Sequence, residues 1–194
     1  MSGNSTSLTP PDGARPPVRH PDAPAPGELI GAHYERCFGC GTSQPHGLHL
    51  RAVAGEGVSL TAEFTVRPEH QGAPGLAHGG VLAAALDESL GALNWLLRVI
   101  SVTGRLETDF LRPVPVGAVL HLEARATAVA GRRIFTTATG RLGGPDGPVA
   151  VRADAVFVEV KLDHFIEHGR AEEINEAISN PDQVKVARAF EVNP

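Results

Sequence analysis

The chain has 194 residues, of which 42% are hydrophobic and 20% are charged, and its formal net charge is −5 at pH 7. This length and apolar content suit one domain with a real core and terminal tails. The only basic cluster is Arg132-Arg133, and the net charge is negative. We therefore do not expect a nucleic-acid partner.

The first segment is rich in Pro, Gly, Ser and Ala. Residues 1–27 hold too few large apolar side chains to offset the entropy cost of ordering them, so we expect a flexible tail there. Residues 1–7 also lack the apolar core of a signal peptide. We therefore expect a cytoplasmic protein.

A CxxC pair opens the turn-rich segment that follows. Cys37 and Cys40 precede His46 and His49 at a C-x2-C-x5-H-x2-H spacing, so a zinc site must be considered. The spacing after Cys40 is shorter than in the usual zinc fingers, and the sequence has no second CxxC. We favour two buried thiols in a turn and expect neither a metal nor another cofactor. Stoichiometric zinc in the purified protein would overturn this expectation.

Two alternating segments, 48–53 and 58–66, then predict strands. A long loop, 67–75, leads to the one long stretch whose apolar residues fit a helix better than a strand, 75–98. Asp87 and Glu88 at its centre make a membrane span costly, so we expect a buried helix and no membrane segment.

The predicted helix has two different faces. Small and polar residues, with Asp87 among them, share one side of a helical wheel, and an apolar side faces the opposite way. Glu88 points about 100° away from Asp87, which favours a position at the rim or at an interface. The side that a sheet would cover comprises Leu82, Ala85, Leu86, Ser89, Leu93 and Leu96.

The start and the middle of this helix carry different polar groups. His78 and Asp87 are nine residues apart, which on an ideal helix is about 900°, a net half turn, and about 13 Å along the axis. One copy of the helix therefore cannot bring both to a single reacting carbon. If both act on one substrate, a second, antiparallel copy must supply one of them, so we predict a homodimer.

Four more segments alternate after the helix, at 102–112, 118–129, 133–142 and 149–160. Short glycine-rich turns between the last three indicate antiparallel pairing, and the pattern predicts a sheet with one covered face. A final helical pattern at 170–179 has Ile174, Ala177 and Ile178 as its apolar positions and ends before Pro181. We favour docking of this helix on the edge or rim of the sheet.

The motifs resemble the acyl-CoA thioesterase branch of the hotdog fold, the family of phenylacetyl-CoA thioesterases and thioesterase superfamily members. The likeness spans residues 37–160. The resemblance implies an α+β hotdog fold with about six antiparallel strands wrapped around one long central helix, in a domain at 28–162 followed by a helical tail at 163–194. The motifs that carry it are Cys37-Phe38-Gly39-Cys40-Gly41, Pro45-His46-Gly47-Leu48, Gly72 to Gly80 ending in His-Gly-Gly, Leu86-Asp87-Glu88, Leu111 to Pro115 and Gly131-Arg132.

The resemblance also assigns catalytic roles. The family's carboxylate falls on Asp87, as general base or as nucleophile, its carbonyl-polarising backbone amide on Gly79, and its hydroxyl residue on Thr103. His78 is a supporting residue that could cap the helix, orient the loop or touch the substrate. A purely structural Asp87, bonded to Arg98 or Asn94, is the alternative.

The resemblance further implies that coenzyme A phosphates meet arginines near the site. The expected binding residues are Gly80, Gln71, Arg112, Arg132 and Arg133. Some relatives place an asparagine six residues before the histidine, where this chain has Gly72 beside Gln71.

The implied function is hydrolysis of acyl-CoA thioesters by a homodimer or a dimer of dimers. One rival is a hydratase or dehydratase of acyl thioesters on the same fold, which the half-turn offset of His78 and Asp87 does not favour. The other is a non-catalytic acyl-CoA sensor, for which neither tail supplies a basic or helix-turn-helix element.

Overall fold

A computed structural model describes residues 7–179 of the chain. The predicted strands and the central helix are present in it, with boundaries shifted by a few residues. In chain order the elements are β1 (Leu29–Ile30), β2 (Arg51–Ala54), β3 (Ser59–Thr65), a 3-10 helix (Pro68–His70), β4 (Gln71–Ala73), β5 (Leu76–Ala77), α1 (Gly79–Leu97), β6 (Ser101–Phe110), β7 (Val119–Ala130), β8 (Arg133–Leu142), β9 (Val149–Glu159), α2 (Asp163–His168) and α3 (Ala171–Ser179).

Seven of the strands form one antiparallel sheet in the order β1-β2-β3-β7-β8-β9-β6. β7 follows the predicted alternation closely, because every second side chain enters the core. β8 and β9 follow it in part, whereas no side chain of β6 is buried in a single chain. β4 and β5 form a separate hairpin that delivers the chain to α1. Because β6 is last in the strand order, it lies at an edge of the large sheet, and it follows α1 directly in sequence.

α1 packs across one face of this sheet, with contacts to β2, β3 and β6 to β9. The predicted apolar face is confirmed, since all six of its residues are buried. Asn94, placed by the wheel on the small polar side, is also buried at 6% exposure. The helix ends at Arg98, which has the left-handed φ of 55° that often closes a helix.

The other face of the sheet is partly covered, which the prediction of a single covered face did not include. Leu8 and Ala14 pack against a small cluster of Ala128, Phe135 and Val156. Phe135 is only 1% exposed as a result.

Residues 7–27 therefore differ from the predicted flexible tail. Arg15 and Val129 exchange backbone hydrogen bonds of 2.9 and 2.8 Å, and the His20 N–H donates to the carbonyl of Leu96. The Arg19 guanidinium donates to the carbonyls of Gly55 and Gly57. Composition alone missed this, because the segment is held by backbone bonds and a few small contacts rather than by a core of its own. Residues 1–6 of the predicted tail lie outside the described part.

The C-terminal helix α3 contacts the turn-rich segment before β2. The carboxylate of Glu173 accepts a hydrogen bond of 2.6 Å from the Tyr34 hydroxyl and pairs with Arg36 at 3.4 Å. This anchor differs from the predicted sheet edge or rim. The side chains of Ala177 and Ile178 and the predicted stop at Pro181 lie outside the described residues. Within residues 7–179, no helix has both the length and the apolar character needed to cross a bilayer.

Candidate active site

Asp87 and Thr103 meet where α1 packs on the edge strand β6. The Thr103 hydroxyl donates a hydrogen bond of 2.9 Å to Oδ1 of Asp87. Asp87 is partly buried, whereas Thr103 is exposed in a single chain. The two residues to which the family resemblance assigns the carboxylate and the hydroxyl are therefore in direct contact.

The surroundings of Asp87 shift the pKa of its carboxyl group. Burial raises the pKa of its carboxyl group above the ordinary value, the Thr103 hydrogen bond opposes this, and the negative charge of Cys37 adds to the rise. The alternative partners bond elsewhere: the Asn94 amide donates to the carbonyl of Gly91, and Arg98 donates to the carbonyl of Asp22. A carboxylate with a raised pKa takes up a proton more readily at neutral pH.

His78 caps the start of α1. Its backbone is extended at φ −70° and ψ 132°, and its Nδ1 accepts a hydrogen bond of 2.9 Å from the N–H of Gly80. Of the three roles considered for His78, this geometry is that of the cap. Gly79 is the first residue of the helix, so its own N–H has no acceptor within the helix. A donor at this position also has the positive end of the helix dipole behind it.

The loop before His78 explains why Gly72 stands in the place of an asparagine. A Cβ on Gly72 would lie 2.8 Å from Cα of His78, closer than packed atoms approach. The neighbouring Gln71 uses its side chain within the loop, because its Oε1 accepts the N–H of Gly75 at 2.9 Å. Gly75 itself has a φ of 75°, which glycine adopts without strain. Gln71, expected to bind substrate, is thus bonded within the β4–β5 hairpin.

A cavity of about 320 Å³ opens beside the helix start. Its lining is mainly apolar, with Arg112 as the charged member. Gly79 faces it, and a Cβ on Gly79 would lie 3.5 Å from the Phe110 ring. The lining residues are Leu76, Ala77, Gly79, Leu82, Phe110, Leu111, Arg112, Pro113 and Val114.

Within one chain, Asp87 and Thr103 are separate from Gly79 and its cavity. Asp87 lies eight residues along α1 from Gly79, about 12 Å on an ideal helix, and it is absent from the cavity lining.

The arginines predicted to bind coenzyme A are also far apart. The N–H of Arg112 donates to the carbonyl of Ala150, whereas the carbonyl of Arg132 accepts from Glu159 at the far end of β9, about 30 Å away. Arg133 follows Arg132 and lies 5.8 Å from the Phe135 ring.

A second cluster of polar groups lies one residue beyond Asp87. His33, Cys37, Cys40 and Glu88 each present a side-chain atom able to bind a metal, and these atoms all lie within 4.8 Å of one another. His46 and His49, which the sequence spacing pointed to, are exposed instead. The sequence predicts Glu88 at the rim or at an interface; in the structure its side chain is only 14% exposed and faces the cysteines. No local pattern could have joined it to residues about 50 positions earlier.

The four groups of this cluster shift one another's pKa values. A hydrogen bond from Cys40 lowers the pKa of the Cys37 thiol to about 3, and the same bond raises the pKa of Cys40. Burial raises the pKa of Glu88 to about 7, with the Cys37 charge adding to it. Burial lowers the pKa of His33, but the Cys37 hydrogen bond and Glu88 outweigh it, so the net shift is upward.

Comparison with known proteins bears on the domain as a whole. Residues 74–148 match the Thioesterase superfamily. The acyl-coenzyme A thioesterase THEM4 of Xenopus laevis is 30% identical over 97 residues, which are 50% of this chain and 43% of that protein. The chain thus spans less than half the length of the curated relatives it matches.

Solved structures give the same result for the fold. A thioesterase superfamily protein has a TM-score of 0.60 and 29% identity, with 71% of this chain and 70% of that chain covered. A Streptococcus mutans protein solved with bound acetyl CoA has a TM-score of 0.53 and 16% identity, with 57% and 88% covered. The expected hotdog fold is confirmed, and residues 74–148 of this chain match the thioesterase superfamily.

Proposed function

We propose that this protein hydrolyses acyl-CoA thioesters to the free acid and coenzyme A. The observation that carries the proposal is the hydrogen bond between Thr103 and the partly buried Asp87 within a thioesterase superfamily domain. The name of the Xenopus laevis relative and the acetyl CoA in the Streptococcus mutans structure support the substrate class. Residues 28–162 form the proposed catalytic domain.

The proposed chemistry needs few groups. The N–H of Gly79 donates to the thioester carbonyl oxygen, where negative charge develops, and donors of this kind typically contribute about 3 kcal/mol. Asp87 takes a proton from the attacking water, or attacks the carbonyl carbon itself to give an anhydride that water then cleaves. The C–S bond breaks and coenzyme A leaves as a thiolate, which is a tolerable anion because its pKa is about 8.5.

Two copies of the chain complete the proposed site. The outer edge of β6 has no neighbouring strand among the described residues, so it offers its backbone to a second β6. Antiparallel pairing centred near Leu106 and Glu107 places Thr103 of one copy near Phe110 of the other. Since Asp87 bonds Thr103 and Gly79 faces Phe110, one carboxylate then approaches the other copy's helix start.

Exposed apolar groups at the same edge support this pairing. Phe110 is 54% exposed and Leu111 is 49% exposed in a single chain, next to the Gly79 cavity. Apolar groups of this size on a sheet edge are typical of a surface that another chain covers. A homodimer is therefore the proposed minimal unit, with a dimer of dimers as its further assembly. A cytoplasmic location is proposed from the two unbridged cysteines, which fit a reducing compartment.

The direct test is release of free thiol from a panel of acyl-CoA esters. We expect turnover by the wild-type chain and a loss of about 10²–10⁴-fold in kcat for Asp87→Asn, because an amide cannot accept the proton. The melting temperature of that variant should stay near the wild-type value. Hydration of enoyl-CoA without thiol release would favour the hydratase, and binding without turnover would favour the sensor; either result overturns the hydrolase.

A further inference from the structure

Four potential ligands converge where the turn-rich segment before β2 packs against α1. Nδ1 of His33 lies 3.1 Å from Sγ of Cys40 and 3.8 Å from Oε1 of Glu88. Sγ of Cys37 lies 3.5 Å from Oε2 of Glu88. Two sulfurs, one imidazole nitrogen and one carboxylate therefore face a common point.

These separations match the edges of a metal-centred tetrahedron. Zinc binds sulfur at about 2.3 Å and nitrogen or oxygen at about 2.0–2.2 Å, so neighbouring ligand atoms stand about 3.3–3.8 Å apart. The separations of 3.5 and 3.8 Å lie within this range, and that of 3.1 Å lies just below it. Small shifts of side chains are enough to bring all four ligand atoms to bonding distance.

The donor set selects the metal. Two thiolates with an imidazole and a carboxylate suit Zn²⁺, whereas Mg²⁺ and Ca²⁺ prefer oxygen ligands. The Glu88 side chain is only 14% exposed, and the ion pair that the structure gives it is with His33. A partly buried carboxylate beside two thiolates concentrates negative charge, and a divalent ion balances it.

The backbone around the cysteines is shaped to leave room for this contact. The N–H of Gly39 donates to Sγ of Cys37 at 3.3 Å, and the N–H of Gly41 closes the turn on the Cys37 carbonyl at 2.9 Å. A Cβ on Gly39 would lie 2.0 Å from Oε2 of Glu88, and one on Gly41 would lie 2.5 Å from N of Cys37. Both glycines are therefore needed for Glu88 to reach the cysteines and for the turn to close.

We propose that His33, Cys37, Cys40 and Glu88 bind one Zn²⁺ in a closed structural site. Four protein ligands fill a tetrahedral shell, so the ion has no open position for a substrate and is not the catalytic group. It would fasten the turn-rich segment to α1 one residue from Asp87. This site does not depend on the thioesterase proposal, because its ligands and its test involve no turnover.

The alternative use of a CxxC pair is a dithiol that cycles with a disulfide. Both cysteines are free in the structure. A redox pair needs only its two thiols. Here an imidazole and a carboxylate from distant parts of the chain contact the same two sulfurs. The geometry therefore favours the metal.

The test uses the full chain, purified in a reductant that does not bind metals. Elemental analysis is expected to find about one zinc per chain. After removal of zinc by a chelator, added Co²⁺ should give the visible bands of tetrahedral cobalt and a sulfur-to-cobalt charge-transfer band. Zinc should also protect Cys37 and Cys40 from alkylation, as read by mass spectrometry.

Matched variants locate the ligands. Glu88→Gln keeps the size of the side chain, and His33→Ala removes a half-exposed group, so both should fold while binding zinc at least about tenfold more weakly. His46→Ala is the control, because His46 is exposed and outside the cluster, and its zinc content should equal the wild-type value.

Three results would overturn the site. The first is a reduced wild-type chain that takes up neither Zn²⁺ nor Co²⁺, and the second is alkylation of both cysteines at equal rates with and without zinc. The third is zinc binding that Glu88→Gln and His33→Ala leave unchanged. The alkylation measurement needs only the wild-type chain, so it decides the matter even if Glu88→Gln or His33→Ala fails to fold.

Discussion

The hydroxyl of Thr103 donates a hydrogen bond of 2.9 Å to Oδ1 of Asp87. This bond joins the start of strand β6 to the middle of α1. This bond holds the carboxylate toward the open edge of the sheet rather than toward the buried face of the helix. It also opposes the rise in the pKa of Asp87 that burial causes. Thr103 is thus placed to position the proposed base.

Replacing Thr103 tests that role. Thr103→Val keeps the shape of the side chain but removes the donor, and a hydrogen bond to a charged group contributes about 1.5–3 kcal/mol. We expect kcat to fall about 10- to 100-fold with little change in KM. Thr103→Ser keeps the hydroxyl and should retain most of the activity. Equal losses in the two variants would show that the methyl group matters and the hydrogen bond does not.

Mixing two inactive variants tests whether each site draws on two chains. Gly79→Pro removes the proposed N–H donor at the first helical position, where proline is tolerated. Asp87→Asn removes the base. In a refolded mixture, half-sites from different chains recombine, and we expect about a quarter of the wild-type activity to return.

The control for this experiment is Gly79→Ala, which keeps the N–H and adds a Cβ at an ordinary 3.5 Å from the Phe110 ring. It should remain active. A mixture with no more activity than its separate components, measured at a concentration where sedimentation shows dimers, would contradict the shared site.

The separated arginines give a prediction about coenzyme A. Arg112 lines the Gly79 cavity, whereas Arg132 lies at the other end of β9. If Arg112 contacts the nucleotide phosphates, Arg112→Ala should raise KM for acyl-CoA about tenfold and leave KM for an acyl-pantetheine thioester unchanged. Steady-state kinetics on both substrates measure this difference. An equal rise for the two substrates would place Arg112 away from the phosphates.

His70 predicts acid sensitivity of the fold. It is 2% exposed, its Nδ1 accepts the N–H of Arg67 at 3.0 Å, and its ring packs 5.2 Å from that of Phe64. Burial lowers its pKa below the ordinary 6.5, the Arg67 guanidinium adds to this, and Glu69 opposes it. The unfolded chain therefore binds the proton more tightly. The contribution of neutral His70 to stability is complete above about pH 6.5 and is lost as the pH falls from there through the lower pKa of the folded state.

Urea unfolding at several pH values tests whether acid lowers the free energy of unfolding in this way. The wild-type free energy of unfolding should fall between pH 7 and pH 5.5 by up to about 1.4 kcal/mol per pH unit through this group. His70→Asn keeps an acceptor for the Arg67 N–H but cannot take up the proton, so its slope should be shallower. The exposed His46→Asn is the control and should keep the wild-type slope. Parallel slopes for all three would exclude His70 as the sensitive group.

The N-terminal segment is expected to stabilise the outer face of the sheet. Deleting residues 1–16 uncovers Phe135 and Val156, and full exposure of a large apolar side chain costs about 1.5–3 kcal/mol. Phe135→Ala should cost about 3 kcal/mol in the full chain and clearly less in the truncated one. Denaturant unfolding of the four proteins gives the coupling. Additive losses would mean that the segment does not cover Phe135.

Much of the fold follows from local patterns. Period-two alternation located β6 to β9, because a strand buries every second side chain, and the apolar stripe of α1 located the helix and its packed face. The offset of His78 from Asp87 is likewise a property of helical geometry alone, and it predicts a site shared by two chains.

What local patterns did not contain is contact between distant segments. Asp87 and Thr103 could be paired only by resemblance, and the cover that residues 7–27 give to the outer face depends on backbone bonds that composition does not report. The spacing after Cys40 pointed to His46 and His49, yet the chain turns so that His33 and Glu88 meet the cysteines. Local sequence patterns predict which elements form and which faces they bury, because both depend on neighbours a few residues away. Which polar groups share a site depends instead on how β2, α1 and β6 pack across the whole domain, and no local pattern contains that information.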